Sequence, residues 1–260
     1  MLLQEPGRTD FDLNFSFLGF AVRVSPFFFV WPVLFSRNMT PDGVNPGIGI
    51  LLVVLVFFVS ILLHEVGHGL AFRKFGIPSY LVLYWMGGLA VPGTGNVWGR
   101  QGYRPLNSNQ QIIVSLAGPA ANLLIVIVAV LFAKGIGGTI FISYLWNVIP
   151  MPIPELQNTA LAGSDTARML LISLIFLNIF WAVFNLLPVY PLDGGQVARA
   201  FLVKMDSHNG LRNSLILSVG TGAIVAVFSF LGREVFVALL FGYLAWMSYQ
   251  QLNSFQSPRW

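Results

Sequence analysis

Cysteine is absent from this 260-residue sequence, and charged residues are scarce. Without cysteine the chain has no disulfides, no thiolate nucleophile and no Cys-based metal site. Only 9 % of its residues are charged, whereas soluble domains carry about 25 %. Because so few charges cannot cover the surface of a soluble protein of this size, the composition argues against a soluble globular fold.

Hydrophobic residues, by contrast, make up 56 % of the sequence. They gather in six apolar runs of the kind that cross the hydrocarbon core of a membrane, which takes about 20 residues. The runs cover residues 24–35, 47–63, 112–133, 169–187, 214–230 and 235–249. The first run is short, and the helix of the second is expected to continue to about Phe72. We therefore predict an all-α polytopic membrane protein with about six transmembrane helices.

Three other stretches do not have the pattern of a long helix. Residues 14–24 alternate imperfectly between apolar and polar, which predicts a strand. Residues 80–98 are apolar but rich in glycine, which favours a re-entrant hairpin or a pair of strands at the membrane. Residues 135–168 carry three prolines and several aromatic residues and are predicted to form an interfacial loop. The predicted fold thus includes a small membrane-associated β element.

The 14 Lys and Arg residues form no basic block, so nucleic-acid binding is not expected. Ten of them lie in the N-terminal segment, the second–third and fourth–fifth connections and the C-terminus, and four lie on the other side. Since cytoplasmic segments carry the excess of basic residues, both termini are predicted to be cytoplasmic. The same orientation puts the ends of the second and fourth runs on the cytoplasmic side.

Two of the three histidines flank Glu65 where the second run ends, in the order His64-Glu65-Val66-Gly67-His68. Residues four apart on a helix lie on one face, so both imidazoles can reach one metal ion. Glu65 is turned toward the open side of that metal, where a carboxylate can take a proton from a bound water. The alternative is that these are buried polar groups on a helix that packs against a neighbour.

Two histidines leave such a site incomplete, because a catalytic zinc usually has three protein ligands and one water. Cysteine is absent and His208 sits in a polar loop, so the third ligand is expected to be a carboxylate. Asp193 is the candidate at a matching depth, since it closes the fourth run in the same leaflet as His68. The alternative is that Asp193 caps a helix that begins near Gln196, and one carboxylate can do both.

Two asparagines are further candidates. The Asn185 amide can hydrogen-bond a substrate strand or help to hold an oxyanion, and an interhelical hydrogen bond is the equal alternative. Asn122 follows Gly118 in the third run, where small residues let helices approach closely. Asn122 is expected to hydrogen-bond across that approach, with a contact to substrate or to the oxyanion as its alternative.

Three segments in this order, HEVGH at 64–68, SLAGPAAN at 115–122 and NLLPVYPLDGG at 185–195, resemble the site-2 protease family of intramembrane zinc metalloproteases. The resemblance covers about residues 47–200, which we expect to be the catalytic core. No loop is long enough for the PDZ-type domain that some relatives carry, and no C-terminal regulatory domain is expected. Residues 1–260 are therefore predicted to form a single integral membrane domain.

The resemblance also implies a ligand set and roles for individual residues. One Zn²⁺ per chain is held by His64, His68 and Asp193, with Glu65 as general base and acid. It implies that Asn185 takes part in holding the substrate.

A glycine-rich element accompanies the active site in this family. The segment before the third span forms a membrane-dipping hairpin that offers its edge to an unwound substrate. Gly87 and Gly88 lie in the matching segment of this sequence and are therefore expected at that edge.

The function that the resemblance implies is zinc-dependent cleavage of transmembrane segments in other membrane proteins. The partners are then a transmembrane protein substrate and the lipid bilayer, without nucleic acid, and no oligomeric state is predicted. A prokaryotic cell (inner) membrane is the expected location. A membrane metal transporter with His and carboxylate ligands is one alternative, and a non-catalytic relative that binds membrane proteins is another.

Overall fold

The computed structural model describes residues 7–93, 105–145, 149–157, 159 and 161–256. Within these residues the chain forms seven α-helices and six strands, and a 3₁₀ turn, Pro26–Phe29, leads into the first helix. The helices are α1 (Val30–Met39), α2 (Pro46–Lys74), α3 (Ser108–Gly135), α4 (Asp165–Asn185), α5 (Asp193–Met205), α6 (Gly210–Leu231) and α7 (Val235–Gln256). The strands are β1 (Leu13–Phe17), β2 (Phe20–Val24), β3 (Ser79–Tyr84), β4 (Gly87–Pro92), β5 (Thr139–Leu145) and β6 (Ile149–Glu155).

Five of the described helices are long and apolar enough to cross a membrane, namely α2, α3, α4, α6 and α7. They contain the second, third, fifth and sixth apolar runs of the sequence and the fourth up to Asn185. Only 22 % to 44 % of their most apolar windows is buried inside the protein. The rest of this apolar surface faces outward, as it does for helices in contact with lipid. The predicted all-α polytopic fold is confirmed, and the chain is an integral membrane protein.

The first apolar run takes a different form, because it begins beside the sheet. Val24 pairs with Leu83, Leu83 pairs with Gly88, and Gly88 lies against Glu65 of α2. The chain therefore has to pass from the neighbourhood of Glu65 to Pro46, about 28 Å along α2. The 3₁₀ turn and the ten-residue α1 extend over about 23 Å of this path. α1 packs against α2, so the first run forms a ten-residue helix beside that span and is not among the five described helices that are long enough to cross a membrane.

A four-stranded sheet with the order β1-β2-β3-β4 packs against α2. β1 and β2 form one antiparallel hairpin, β3 and β4 form another, and β2 pairs with β3 in parallel. The strand predicted for residues 14–24 is divided in two by a turn at Leu18 and Gly19. The hairpin predicted for residues 80–98 is confirmed as β3 and β4, and its last part, residues 94–98, lies outside the described residues.

The loop predicted for residues 135–168 is wrong in its middle part, where β5 and β6 form an antiparallel hairpin. β5 consists mainly of β-branched and aromatic residues, which favour a strand. The three prolines of this region alternate along β6 at positions 150, 152 and 154. Proline is tolerated in an edge strand when its missing N–H points away from the partner strand. A spacing of two puts all three prolines on the same side of β6, so they do not interrupt the hairpin.

Contacts divide the chain into two compact units. The sheet unit comprises Glu5–Gly99 and Gly118–Ala182, and the α5–α7 unit comprises Met1–Gln4, Arg100–Ala117 and Val183–Trp260. The core of the sheet unit is formed by α2, the sheet and α4, with Val24, Leu81, Leu83, Val53 and Leu177 among its buried residues. The core of the α5–α7 unit contains Val189, Phe241 and Leu244.

The first hairpin packs on the C-terminal half of α2. The Phe20 ring lies against Gly69, where a Cβ would come within 2.9 Å of Phe20 Cε1. Arg73, one turn later, covers the same ring at 4.0 Å from its centroid and donates a hydrogen bond to the Leu18 carbonyl at 3.0 Å. These contacts fix the sheet to α2 immediately after His68.

Gly69→Ala is expected to destabilise the protein by about 1–3 kcal/mol, because the added methyl group overpacks the contact with Phe20. Gly220→Ala, in the exposed surface of α6 with no atom within 4 Å of the new Cβ, is the matched control and should be neutral. Unfolding of both purified variants in detergent, followed by circular dichroism, measures the difference. Equal stability of the two variants would show that the hairpin does not depend on this contact.

Candidate metal centre

His64, Glu65 and His68 lie in the second half of α2, inside a span with a mean hydropathy of 2.9. All three are buried, with exposed fractions of 2 %, 4 % and 7 %. The two imidazoles face each other across one helical turn, with ring centroids 4.8 Å apart. Their Nε2 atoms are 3.1 Å apart, close to the roughly 3.3 Å that separates two nitrogen ligands of one tetrahedral zinc.

Asp193 provides a carboxylate for the same site. His64, His68 and Asp193 each offer one ligand atom, and these atoms lie within 4.8 Å of one another. Asp193 is 7 % exposed, so all three donors are buried. Two imidazoles and one carboxylate suit zinc and leave a fourth position for water. The three residues are therefore positioned to form a metal site.

The local structure around Asp193 shows how the carboxylate is held. Asp193 is the first residue of α5, and Leu192 takes the N-cap position. The helix thus begins three residues before Gln196, and the alternative that Asp193 is its N-cap does not hold. The loop before α5 is fixed from two helices through Tyr190. Its N–H donates to Ser218 Oγ of α6 at 3.0 Å, and Ser248 Oγ of α7 donates to its carbonyl at 3.4 Å. The last two spans, which carry no recognisable motif, thus support the loop that leads to Asp193.

Asn122 of α3 holds the His64 ring from the other side. Its Oδ1 lies 2.5 Å from His64 Nδ1. Its Nδ2 donates to Asn178 Oδ1 of α4 at 2.7 Å and approaches the Ser60 carbonyl of α2 at 3.4 Å. The predicted hydrogen bonding of Asn122 across a helix contact is confirmed. Hydrogen bonds to the second ring nitrogen regularly orient metal-ligating histidines.

Gly118 of α3 leaves space beside the two imidazoles. A Cβ at this position would overlap His68 Nε2 and lie 2.7 Å from His64 Nε2. The close helix approach expected for Gly118 is confirmed, and it is directed at the metal-binding nitrogens. The donor atoms, their spacing and this space beside them all fit a bound zinc ion.

The carboxylate of Glu65 lies against the second hairpin. A Cβ at Gly88 would overlap Glu65 Oε1, and Gly87, with a φ of 119°, packs against the ring of Trp181. Burial, with a smaller contribution from the charge of Glu65, raises the pKa of Tyr84 to about 12. Tyr84 is therefore a neutral phenol at physiological pH, beside the carboxylate. The strand β4 thus begins next to Glu65.

Asn185 is the last residue of α4 and is half-buried, in the same unit as Asp193. Its part in substrate binding stays a prediction. Sequence reasoning missed Ser60 and Asn178, which are fully buried beside Asn122. Both could have been found, because each is a polar residue inside an apolar run, and such residues in membrane spans have partners. Tyr84 could not have been found from the sequence, because only the tertiary structure brings its hairpin next to Glu65.

Comparison with protein families matches residues 52–228 to the model of peptidase family M50. The matched range is more than half of the chain. It includes both histidines of the metal site, Glu65 and Asp193.

Two curated proteins are similar over most of this chain. One, from Synechocystis sp., has a name that describes it as a zinc metalloprotease; it is 28 % identical over 218 residues, which cover 80 % of this chain and 48 % of the relative. The other, a zinc metalloprotease from Methanocaldococcus jannaschii, is 25 % identical over 192 residues, which cover 74 % of this chain and 42 % of the relative. The chain thus spans less than half the length of the curated relatives it matches.

A solved structure has a similar fold. It is the site-2 protease from Methanocaldococcus jannaschii, which aligns with 93 % of this chain and 95 % of its own chain at a TM-score of 0.53. The sequences are 21 % identical in this alignment, so the match establishes a shared fold.

Gly118→Ala is expected to lower zinc affinity about tenfold or more, because the added methyl group displaces the two imidazoles. Gly135→Ala, on the same helix with no atom within 4 Å of its Cβ, is the matched control. Zinc affinity of the two purified variants, measured by competition with a chelating dye, checks the prediction. Equal zinc affinity in the two variants would contradict the space assigned to the metal.

Asp193→Ala is expected to reduce bound zinc well below one ion per chain, because the site loses its carboxylate ligand. Asp206→Ala is the control, since Asp206 accepts hydrogen bonds from the amides of His208 and Asn209 at the start of α6. This variant should keep its zinc. Unchanged zinc stoichiometry in Asp193→Ala would eliminate Asp193 as a ligand.

Proposed function

Because this chain belongs to peptidase family M50, the site-2 protease family of zinc metalloproteases, we propose that it hydrolyses transmembrane segments of other membrane proteins. The observation that carries the proposal is the place of Glu65 and the two histidines inside a membrane-crossing helix. By helical rise, His64 and His68 lie about 9–15 Å from the Lys74 end of α2. A peptide bond cleaved beside them therefore lies within the membrane.

The chemistry assigns a distinct part to each residue. His64, His68 and Asp193 would hold the zinc ion, which when bound would supply a Lewis acid for the substrate carbonyl and make a water more acidic. Glu65 accepts a proton from the attacking water as the oxygen bonds to the carbonyl carbon. Glu65 then donates a proton to the leaving amine as the C–N bond breaks, so one water is consumed and Glu65 is restored. Asn185 hydrogen-bonds the substrate near the cleaved bond and helps to hold the oxyanion.

Access to the peptide bond requires an extended substrate, because an intact helix hides its carbonyls in internal hydrogen bonds. β4 lies at the edge of the described sheet, and Gly88 near its start lies against Glu65. An unwound segment that adds to β4 as a further strand would be brought to Glu65. This geometry supports Gly87 and Gly88 as the edge that meets the substrate, and it favours substrates with proline or glycine in the span.

The proposed setting is a prokaryotic inner membrane with both termini in the cytoplasm. The asymmetry of Lys and Arg supports this orientation. The cyanobacterial and archaeal sources of the two relatives support a prokaryotic cell.

Glu65→Gln is expected to keep its zinc and to lose cleavage by about 10²- to 10⁴-fold, because an amide cannot accept and return the proton. The wild type and the variant are expressed separately in cells of the same strain. New N-termini in the two membrane proteomes are then mapped by mass spectrometry. Termini that depend on Glu65 should fall inside transmembrane segments. Zinc content is measured on the same preparations.

Glu234→Gln, between α6 and α7, is the control and should give the wild-type set of termini. Cleavage by Glu65→Gln at the wild-type rate would contradict the mechanism. Glu65-dependent termini that fall only in soluble regions would contradict the intramembrane substrate. Metal uptake into vesicles that survives Glu65→Gln, without cleavage, would favour a transporter instead.

A further inference from the structure

A chain of buried polar side chains leads away from His64 into the helix bundle of the sheet unit. It runs from His64 to Asn122 on α3, then to Asn178 on α4 and back to Ser60 on α2. The exposed fraction of Ser60, Asn122 and Asn178 is 0 %, and that of His64 is 2 %. Since no water replaces a lost partner at such a place, the direction of each hydrogen bond in this chain is fixed by its neighbours.

The far end of the chain fixes the orientation of the Asn178 amide. Asn178 Nδ2 donates to the Leu174 carbonyl at 2.7 Å and to Ser60 Oγ at 2.9 Å. A backbone carbonyl can only accept, so the nitrogen of the amide has to face Leu174. The oxygen of Asn178 is therefore turned toward Asn122.

This orientation is passed on to Asn122 and then to His64. Asn178 Oδ1 accepts from Asn122 Nδ2 at 2.7 Å, which turns Asn122 Oδ1 toward His64 Nδ1. An amide oxygen can only accept, so Nδ1 of a neutral imidazole has to carry the proton in this pair. Nε2 is then proton-free and presents its lone pair toward His68 Nε2, where the metal site lies.

We propose that Asn178 is a positioning residue, which fixes the direction of the Asn122 amide and thereby the tautomer in which His64 meets the metal. Without the acceptor on Asn178, only the longer contact of Asn122 Nδ2 with the Ser60 carbonyl, at 3.4 Å, holds the amide in this direction. The Asn122 amide can then turn over and offer its NH₂ group to His64 Nδ1. The imidazole then carries its proton on Nε2, where it competes with metal binding. The inference depends on the metal site and is independent of the proposed proteolysis.

Two substitutions of Asn178 separate this role from simple packing. Asn178→Leu removes the acceptor for Asn122, whereas Asn178→Asp keeps a carboxyl oxygen in that place. Both disturb the contacts with Leu174 and Ser60. Zinc affinity, measured by competition with a chelating dye in detergent, should fall about tenfold in Asn178→Leu and stay within about threefold of wild type in Asn178→Asp. Ser60→Ala should match wild type, because Asn178 still donates to Leu174.

A direct readout of the tautomer completes the test. The chain has three histidines, so ¹⁵N spectra of metal-free, histidine-labelled protein are simple to assign. His64 should carry its proton on Nδ1 in wild type and in Asn178→Asp, and should populate the Nε2–H form in Asn178→Leu. If Asn178→Leu does not fold by circular dichroism, Asn178→Ala removes the same acceptor and replaces it in the comparison.

Two results would overturn the proposal. In the first, the variant without the acceptor keeps wild-type zinc affinity and the Nδ1–H form of His64. In the second, Asn178→Leu (or Asn178→Ala in its place) and Asn178→Asp lose zinc affinity to the same extent. That result would assign Asn178 a role in packing. Neither readout uses a substrate. A result against the proposed proteolysis would therefore not contradict this proposal, and a result against this proposal would not contradict the proteolysis.

Discussion

His64 and His68 lie on an apolar membrane-crossing helix, and both have to direct Nε2 at the same point beside it. Much of the sheet unit serves this requirement. A polar group buried in a membrane is costly unless it has a partner. The partner of the His64 ring comes from α3, and the partner of that residue comes from α4 and α2. The polar chain therefore ties three helices together at the depth of the motif and orients a ligand at the same time.

At the level of His64, Glu65 and His68, two faces of α2 are each approached by the backbone of a glycine instead of by a side chain. On one face Gly118 of α3 approaches the histidines, and on the other Gly88 of β4 approaches Glu65. A side chain at either glycine would overlap a functional atom. The first approach leaves space beside the nitrogens for a metal ion, and the second brings the edge of a strand to the carboxylate. The motif is thus placed between two elements that come close because they have no side chain there.

Much of this arrangement could be predicted from the sequence, at residues whose chemical type differs from that of their neighbours in the chain. The low charge and the apolar runs predicted the spans, and the polar residues at the ends of two runs predicted the donor set His64, His68 and Asp193. The hairpin of β3 and β4 was predicted because glycine interrupts an apolar stretch. The β5–β6 hairpin was not, because its prolines suggested a loop while their alternation is compatible with an edge strand. Asp193 was considered as a helix cap, and its true position, the first residue of α5, depends on the loop that α6 and α7 support.

The sequence by itself determined the chemistry: a helix that crosses the membrane, two imidazoles one turn apart, and a carboxylate between them. These three features depend on residue type and on helical periodicity, and both can be read from a short segment of the sequence. The tertiary structure alone decided which nitrogen of His64 faces the metal site and which strand edge meets Glu65. It also decided that the first apolar run forms a 3₁₀ turn and a ten-residue helix instead of a long span. Each of these depends on contacts between residues far apart in the chain, such as Ser60 with Asn178 and Val24 with Leu83, and no local pattern contains that information.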